Sequence, residues 1–283
     1  NVVVPHEPLE QFGSDAVRYW AASAKLGADT AYEIAQMKIG RRLAIKLLNA
    51  SKFALNLGVT EAHILDAPSS EAAHRRLSEP LDRALIAQLH DVVAEATQHF
   101  ENYDYARALQ RVESFFWSFT DDYVELVKDR AYGSRGEQEQ ASVLCALATT
   151  LDALLRLFAP VLPFATDEVW RWWRSGSVHS ASWPAAEDLE HVTGAAEMLT
   201  SVGETLSALR RVKSDAKVKQ RTEILSARVT GPSAALAHVE AALGDISAAT
   251  RTRVLDIVGE WNTHHEISVH DVVLDDAEPA STQ

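Results

Sequence analysis

Residues 34–57, IAQMKIGRRLAIKLLNASKFALNL, decide the fold of this chain. Apolar side chains recur there at intervals of three and four positions, which places them along one face of a helix. The face consists of Leu43, Leu47, Ala50 and Ala54. Because glycine commonly follows a helix end, Gly58 and this periodicity together predict one long helix over about 31–57 that packs against other helices.

The same periodicity continues on both sides of this helix, with glycine and proline between the segments. Further helices are predicted over about 15–26, 80–100, 104–131, 142–158 and 166–174. The region 59–78 has no clear period and is predicted to be a loop. Together these segments predict a mainly α fold, with a helical bundle over 31–188.

The pattern changes after residue 188. Helical segments over 195–212 and 233–243 are followed or separated by stretches rich in β-branched residues, which are typical of strands. The predicted strands are 224–230, 253–258 and 266–273. We therefore expect a small α+β module over 189–275 and a flexible tail over 276–283.

Composition limits the functions that are open to the chain. It has 283 residues, a net charge of −13 and a single cysteine, Cys145. One cysteine excludes an internal disulfide and a cysteine-rich zinc site, and the cytoplasm is the expected compartment. No apolar run approaches the roughly 20 residues that cross a membrane. The negative charge argues against a phosphate-rich partner unless positive residues are concentrated locally, since charges interact over about 8 Å at physiological salt.

Positive charge is concentrated in the long helix. Between Ile34 and Thr60 there are five lysines and arginines and no aspartate or glutamate. Phosphate contacts are predicted for the basic residues of this helix, Lys38, Arg41, Arg42, Lys46 and Lys52. Asn49 and Phe53 share their face and are candidates for contacting unpaired bases. The alternative is a solvated face without a ligand, with Phe53 in the core.

A second basic cluster lies at the end of the helix over 195–212 and in the loop beyond it. It consists of Arg210, Arg211, Lys213, Lys217, Lys219 and Arg221, interrupted only by Asp215. These residues suit contacts with an RNA backbone. Positive residues also suit the negative end of a helix dipole, so a purely structural role stays open.

Clusters that resemble metal or catalytic sites are incomplete. Glu71 and His74 have the spacing of half a helical-bundle dimetal site, but no second motif accompanies them. The run His264-His265-Glu266 beside a predicted strand is more typical of a surface. Because P-loop, GxGxxG and GxSxG motifs are also absent from the sequence, we predict no catalytic residue and no metal ligand in this chain.

The predicted helix over 104–131 has an aromatic face and a polar face. Asp121, Asp122 and Glu125 fit the polar face better than an acid–base site. Trp117 lies off the aromatic face, so we expect it to pack on a neighbouring element or to contact a partner.

Several longer segments resemble the class I aminoacyl-tRNA synthetases, in particular the valyl-tRNA synthetases. Residues 12–20, FGSDAVRYW, are similar to the segment after the catalytic KMSKS loop of this class. Residues 36–53 look like the first long helix of the anticodon-binding domain. Residues 116–128, FWSFTDDYVELVK, match a later helix, and residues 157–170, LFAPVLPFATDEVW, resemble the segment that closes the bundle. In this order, the resemblance covers about residues 1–188.

The resemblance implies a parent enzyme that uses ATP and magnesium to ligate valine to its tRNA. It makes residues 1–30 a connector following the catalytic domain, and 31–188 the bundle that binds the anticodon arm. Residues 1–3 are similar to the residues directly after the KMSKS loop, so the catalytic and editing domains are expected upstream. By itself the chain is expected to be an inactive monomer without cofactors. Residues 233–283 lack the heptads of the coiled-coil arm that ends many family members.

Two alternatives stay open. The first is the equivalent domain of an isoleucyl- or leucyl-tRNA synthetase. The second is a helical protein–protein interaction module, which the net negative charge and the position of Trp117 suggest.

Overall fold

The computed structural model describes residues 4–259 and 266–275. These residues form twelve α-helices and one three-stranded sheet, so the predicted mainly α fold with a small α+β part is confirmed. The predicted tail over 276–283 lies outside the described residues. One helix among the described residues, α8 (Glu137–Phe158), is long and apolar enough to cross a membrane, but 83% of its most apolar part is buried inside the protein, as in a core helix.

The chain divides into two compact units that are interleaved in sequence. The first comprises Asn1–Arg76, Gln88–Trp117 and Leu144–Val192. The second comprises Leu77–Ala87, Ser118–Val143 and Thr193–Gln283. The segments 77–87 and 118–143 therefore group with the C-terminal residues. The domain boundaries given from the sequence stay predictions.

The first unit is helical. It contains α1 (His6–Phe12), α2 (Ser14–Ala22), α3 (Ile34–Asn56), α4 (Ser70–Arg76), most of α5 (Pro80–Glu101), α6 (Tyr105–Ser118), most of α8 and α9 (Pro163–Trp173). The predicted loop over 59–78 is wrong in part, because it contains α4 and a 3-10 helix at Glu61–His63. Both elements are too short to show a period in the sequence.

Helix α3 is held closely against α2. Gly40 is buried in α3, and a Cβ atom at this position would lie 2.5 Å from Cβ of Tyr19 in α2. Phe12, Ala16 and Met37 form a buried cluster beside this crossing. The glycine thus permits a helix contact that any larger residue would push apart, and it fixes which face of α3 turns outward.

Helix α9 receives its N-terminal cap from a distant part of the chain. Pro163 occupies the first turn, where its missing N–H is tolerated. The backbone N–H groups of Phe164 and Ala165 donate to the carboxylate of Asp15, at 3.1 and 2.8 Å. The helix therefore begins three residues before the predicted start at Thr166.

The second unit surrounds the small sheet. It contains the start of α5, a π-helical turn at Phe119–Tyr123, α7 (Val124–Ala131), the start of α8, α10 (Glu197–Asp215), β1 (Ile224–Gly231), α11 (Ser233–Ala241), α12 (Leu243–Thr250), β2 (Thr252–Gly259) and β3 (Ser268–Leu274). The strand order is β2-β1-β3, with β1 parallel to β2 and antiparallel to β3. The parallel pair needs a crossover, which α11 and α12 supply. The sequence predicted neither the π-helical turn nor α12.

A buried charged cluster joins the three segments of the second unit. Arg130 is fully buried and donates to both carboxylate oxygens of Asp82 and of Asp245, at 2.8–3.0 Å. The hydroxyls of Tyr123 and Ser142 donate to Asp82 at 2.8 and 2.6 Å. Each carboxylate therefore has several donors, which is the condition for burying charge.

Candidate nucleic-acid interface

Helix α3 turns one face to the core and leaves the other exposed. The buried positions are Met37, Gly40, Leu43, Leu47, Ser51 and Ala54. The opposite side carries Lys38, Arg41, Arg42, Lys46, Asn49, Lys52 and Phe53, which we call the basic face. Of these, the exposed residues are Lys38, Arg41, Arg42, Asn49 and Lys52, whereas Lys46 and Phe53 are half-buried. The predicted candidates therefore do share one accessible surface.

Trp117 borders one edge of the basic face. Cζ of Arg42 lies 5.6 Å from the centre of its ring, and Nζ of Lys46 lies 6.0 Å away. The indole N–H donates to Glu113 at 3.1 Å. Both cations are thus within the range of a cation–π interaction, which holds them beside a fixed ring. Trp117 therefore packs against α3, one of the two roles that the sequence left open.

The acidic residue next to this edge, Glu113, accepts hydrogen bonds from two neighbouring side chains. Besides the indole of Trp117, Glu113 accepts a hydrogen bond from the hydroxyl of Tyr19 at 2.7 Å. Burial, and then this hydrogen bond, raise the pKa of Tyr19, so the phenol stays a neutral donor. The arrangement supports the ring of Trp117 from the core side.

The remaining polar side chains of the basic face are largely open to solvent. Arg41 donates to the carbonyl of Gln11 at 2.8 Å. Across the described parts of the chain, the side chains of Lys38, Asn49 and Lys52 form no hydrogen bond or ion pair. Asn49 therefore does not hydrogen-bond within the bundle, which leaves its amide available to a ligand. Phe53 is half-buried, so only part of its ring is accessible.

The second basic cluster is less uniform than the sequence suggested. The prediction for Lys213 is wrong, because this residue is only 1% exposed. Its ammonium donates to the carbonyls of Gln220 and Thr250, at 2.9 and 2.6 Å, and cannot reach a phosphate. Burial lowers the pKa of Lys213, and the charges of Arg251 and Arg210 lower it further.

The other members of this cluster surround the buried lysine. Arg211, Lys217 and Arg221 are exposed, whereas Lys219 is half-buried. Arg210 is half-buried and pairs with Glu125 at 3.4 Å, so its charge is partly matched. Contacts of these five residues with an RNA backbone stay predictions.

The acidic residues of the π-helical turn have structural partners. Burial, and then the nearby charge of Asp121, raise the pKa of Asp122, whereas Arg210 lowers it. Glu125 pairs with Lys128 and with Arg210. These contacts agree with the polar helix face that the sequence predicted.

The incomplete metal motifs acquire no further ligands among the described residues. Glu71 forms an ion pair with Arg75 at 2.6 Å on the surface of α4. Over residues 4–259 and 266–275, no group of three or more histidine, cysteine or acidic side chains is placed to hold a metal ion. His264 and His265 lie outside these residues.

Fold and surface together define the class: a mainly α-helical protein with an exposed helix face suited to nucleic acid. The family described as the anticodon-binding domain of tRNA ligase matches residues 82–229, which is more than half of the chain. The chain belongs to this family. Helix α3 lies before the matched residues, so the match does not test the basic face.

Bacterial valine–tRNA ligases are similar over nearly the whole chain. The enzyme of Bifidobacterium longum subsp. infantis is 52% identical, over 93% of this chain and 30% of that protein. Those of Leifsonia xyli subsp. xyli and Thermobifida fusca are each 48% identical over 98% of the chain, which is 31% and 30% of the respective proteins. The chain thus spans about three tenths of the length of these relatives.

A solved structure also aligns with the chain, a ternary complex of Agrobacterium radiobacter K84 agnB2 LeuRS with tRNA and LeuAMS. The alignment has a TM-score of 0.46 and 16% identity, and it covers 98% of this chain and 31% of that one. This likeness is too weak to bear on fold or function.

Proposed function

We propose that this chain binds the anticodon arm of valine tRNA, as part of a cytoplasmic, monomeric ligase that joins valine to tRNA with ATP and magnesium. The observation that carries the proposal is the acid-free, exposed basic face of α3 in a chain of the anticodon-binding family. Relatives that are 44–52% identical are valine–tRNA ligases, which favours valine over the other amino acids.

The basic face offers the two kinds of contact that a single-stranded RNA loop needs. Lys38, Arg41 and Lys52 present positive charge for phosphates along about four helical turns. Asn49 lies among them, and its amide can hydrogen-bond the edge of an unpaired base. Arg42 and Lys46 are held against Trp117 before RNA arrives, so less side-chain entropy is lost on binding.

Reversing charge on the basic face tests the proposal. Replacing Arg41, Arg42 and Lys46 together by glutamate is expected to abolish binding of valine tRNA, because attraction to phosphate becomes repulsion. Binding is measured by fluorescence anisotropy at fixed salt, with helix content checked by circular dichroism. The matched control reverses three exposed arginines of the same unit, Arg75, Arg107 and Arg171, and should bind far more tightly than the test variant.

A gentler variant separates loss of contact from loss of structure. Lys38 and Lys52 have no side-chain partner among the described residues, so changing both to alanine should leave the fold intact. If both contact phosphate, the slope of log K against log salt should fall by about 0.7–0.9 per contact removed. Unchanged affinity and slope in this variant, together with full binding by the triple reversal, would overturn the proposal.

Parallel measurements decide between the remaining alternatives. Valine tRNA is expected to bind more tightly than isoleucine and leucine tRNAs at the same salt concentration. A protein partner is less favoured than it was from sequence, because Trp117 contacts Arg42 and Lys46 and is not an open hydrophobic surface. If the affinity for the cellular partner did not change with salt concentration, the protein–protein alternative would again be favoured.

A further inference from the structure

A groove runs along the edge of the basic face opposite Trp117. It has a volume of about 470 Å³ and lies between the N-terminal helices, α3 and the start of α9. Its walls include Phe12, Arg41, Ile45, Leu48, Phe164 and Glu168. Most of the lining is apolar, and the volume lies within the roughly 300–1,000 Å³ range of small-ligand sites.

Phe164 projects into solvent at this groove on a fixed backbone. Its side chain is 67% exposed, although the residue lies in the first turn of α9. The carboxylate of Asp15 holds the backbone N–H groups of Phe164 and Ala165, and Pro163 precedes them. The capped helix start therefore fixes the backbone that carries this exposed ring at the groove.

The groove and the basic face share Arg41. Arg41 and Ile45 are one helical turn apart on α3, and both line the groove. Ile45 is 48% exposed, and Arg41 is held at the rim by the carbonyl of Gln11. A nucleotide whose phosphate contacts Arg41 would therefore have its base beside the apolar walls and the ring of Phe164.

The charges around the groove favour a base over a phosphate inside it. Glu168 lines the wall and would repel a phosphate that entered. The same carboxylate can accept a hydrogen bond from a base edge, and Arg41 can donate one. The sugar–phosphate backbone thus fits the basic face, and the base fits the groove.

We propose that this groove is a stacking subsite for one unpaired base of the bound tRNA loop, with Phe164 as its platform. The inference rests on the proposed function and adds to it a residue outside α3. It also gives the exposed ring of Phe164 and the exposed Ile45 a common role.

The test is a thermodynamic cycle between protein and RNA, using the 283-residue chain and an anticodon stem-loop hairpin of valine tRNA. Phe164→Ala is expected to weaken binding about 5- to 100-fold, the usual effect of losing one base–aromatic stack. An abasic substitution at one unpaired loop position should weaken wild-type binding by a similar factor. Combining the two changes should weaken it no further, because both remove the same contact.

Two control variants make the result specific. Phe164→Trp keeps a stacking surface and should retain most of the affinity. Tyr132→Ala removes an aromatic ring that is 69% exposed in the second compact unit, and it should have no effect. Because Phe164 contributes little buried surface, circular dichroism and thermal melting should be unchanged in Phe164→Ala.

The outcomes separate this inference from the proposed function. If the triple reversal on α3 loses binding but Phe164→Ala does not, the groove is no base subsite while anticodon binding stands. The same conclusion follows if Phe164→Ala shows no coupling to any loop position. If the wild-type chain binds neither hairpin nor tRNA, both proposals are overturned.

Discussion

Lys213 is the residue that holds the turn after α10 in place. Its ammonium donates to the carbonyls of Gln220 and Thr250, and so connects the basic loop to the end of α12. A buried lysine is tolerated only with such acceptors, because an unpaired charge in the interior is strongly unfavourable. Its charge thus serves the fold, and its exposed neighbours are left as the candidates for RNA.

Replacing Lys213 with methionine keeps most of the side-chain volume and removes the charged donor. We expect a loss of about 1.5–3 kcal/mol in the free energy of unfolding, measured by urea denaturation. Arg211→Met, at an exposed neighbouring position, is the control and should change stability by less than about 0.5 kcal/mol.

The effect of Lys213 should also depend on pH. Its pKa in the folded chain is lowered from the ordinary value of about 10.4. Between the two values the unfolded chain binds more protons, so wild-type stability rises with pH across this window. Methionine cannot titrate, and the difference in stability between wild type and variant should therefore widen as the pH rises towards the ordinary pKa of lysine. A constant difference would contradict the lowered pKa.

Single residues also show what the sequence could and could not predict. Lys38 and Lys213 both lie in basic, helical stretches, yet one is exposed and the other buried. For Lys38 the apolar period of α3 predicted the outward face correctly. The acceptors of Lys213 are backbone carbonyls 7 and 37 residues away, which no local pattern contains. Phe164 was missed similarly, since exposure of an apolar residue depends on its neighbours in space.

At the scale of elements, long periodic helices were predictable and locally irregular ones were not. Helix α5 was predicted over 80–100 and extends over Pro80–Glu101. The π-helical turn at Phe119–Tyr123 continues α6 into α7 without a breaker residue, so periodicity gave no sign of it. The start of α9 depends on Asp15, 149 residues before Phe164. The signal for the α2–α3 contact was present as Gly40 inside a helical period.

Gly40 provides the test at this scale. Alanine has the higher helix propensity and would by itself stabilise α3 by about 1 kcal/mol. Its Cβ atom would lie 2.5 Å from Cβ of Tyr19, which cannot move away without the helix. We therefore expect Gly40→Ala to lower the free energy of unfolding by about 1–3 kcal/mol in urea denaturation. A variant as stable as wild type, or more so, would show that α2 and α3 do not approach so closely.

For the whole molecule, net charge and the grouping of segments into units show what local sequence patterns cannot predict. The net charge of −13 argues against an RNA partner, whereas the stretch from Ile34 to Thr60 carries only positive charge. The local distribution of charge decides whether RNA is attracted, because screening at physiological salt limits charge interactions to about 8 Å. The interleaved units could not be predicted, since contacts between segments such as those of Asp82 and Asp245 leave no periodic trace.

The cluster around Arg130 gives the last prediction, because it connects all three segments of the second unit. Arg130→Met leaves the carboxylate of Asp82 buried without its cation and leaves Asp245 with only the partly exposed Arg135 as an ion-pair partner, and it should lower the free energy of unfolding by about 3–5 kcal/mol. Burial already raises the pKa of Asp245, and losing Arg130 raises it further. A carboxyl group whose pKa is higher in the folded than in the unfolded chain lowers the stability of the fold as pH rises. The variant should therefore be destabilised less at about pH 5 than at about pH 7. Changing Asp82 and Asp245 to asparagine in the same variant should recover part of the loss in urea denaturation, since no uncompensated charge is then buried. If the triple variant is no more stable than Arg130→Met, the cluster contributes through packing and not through charge.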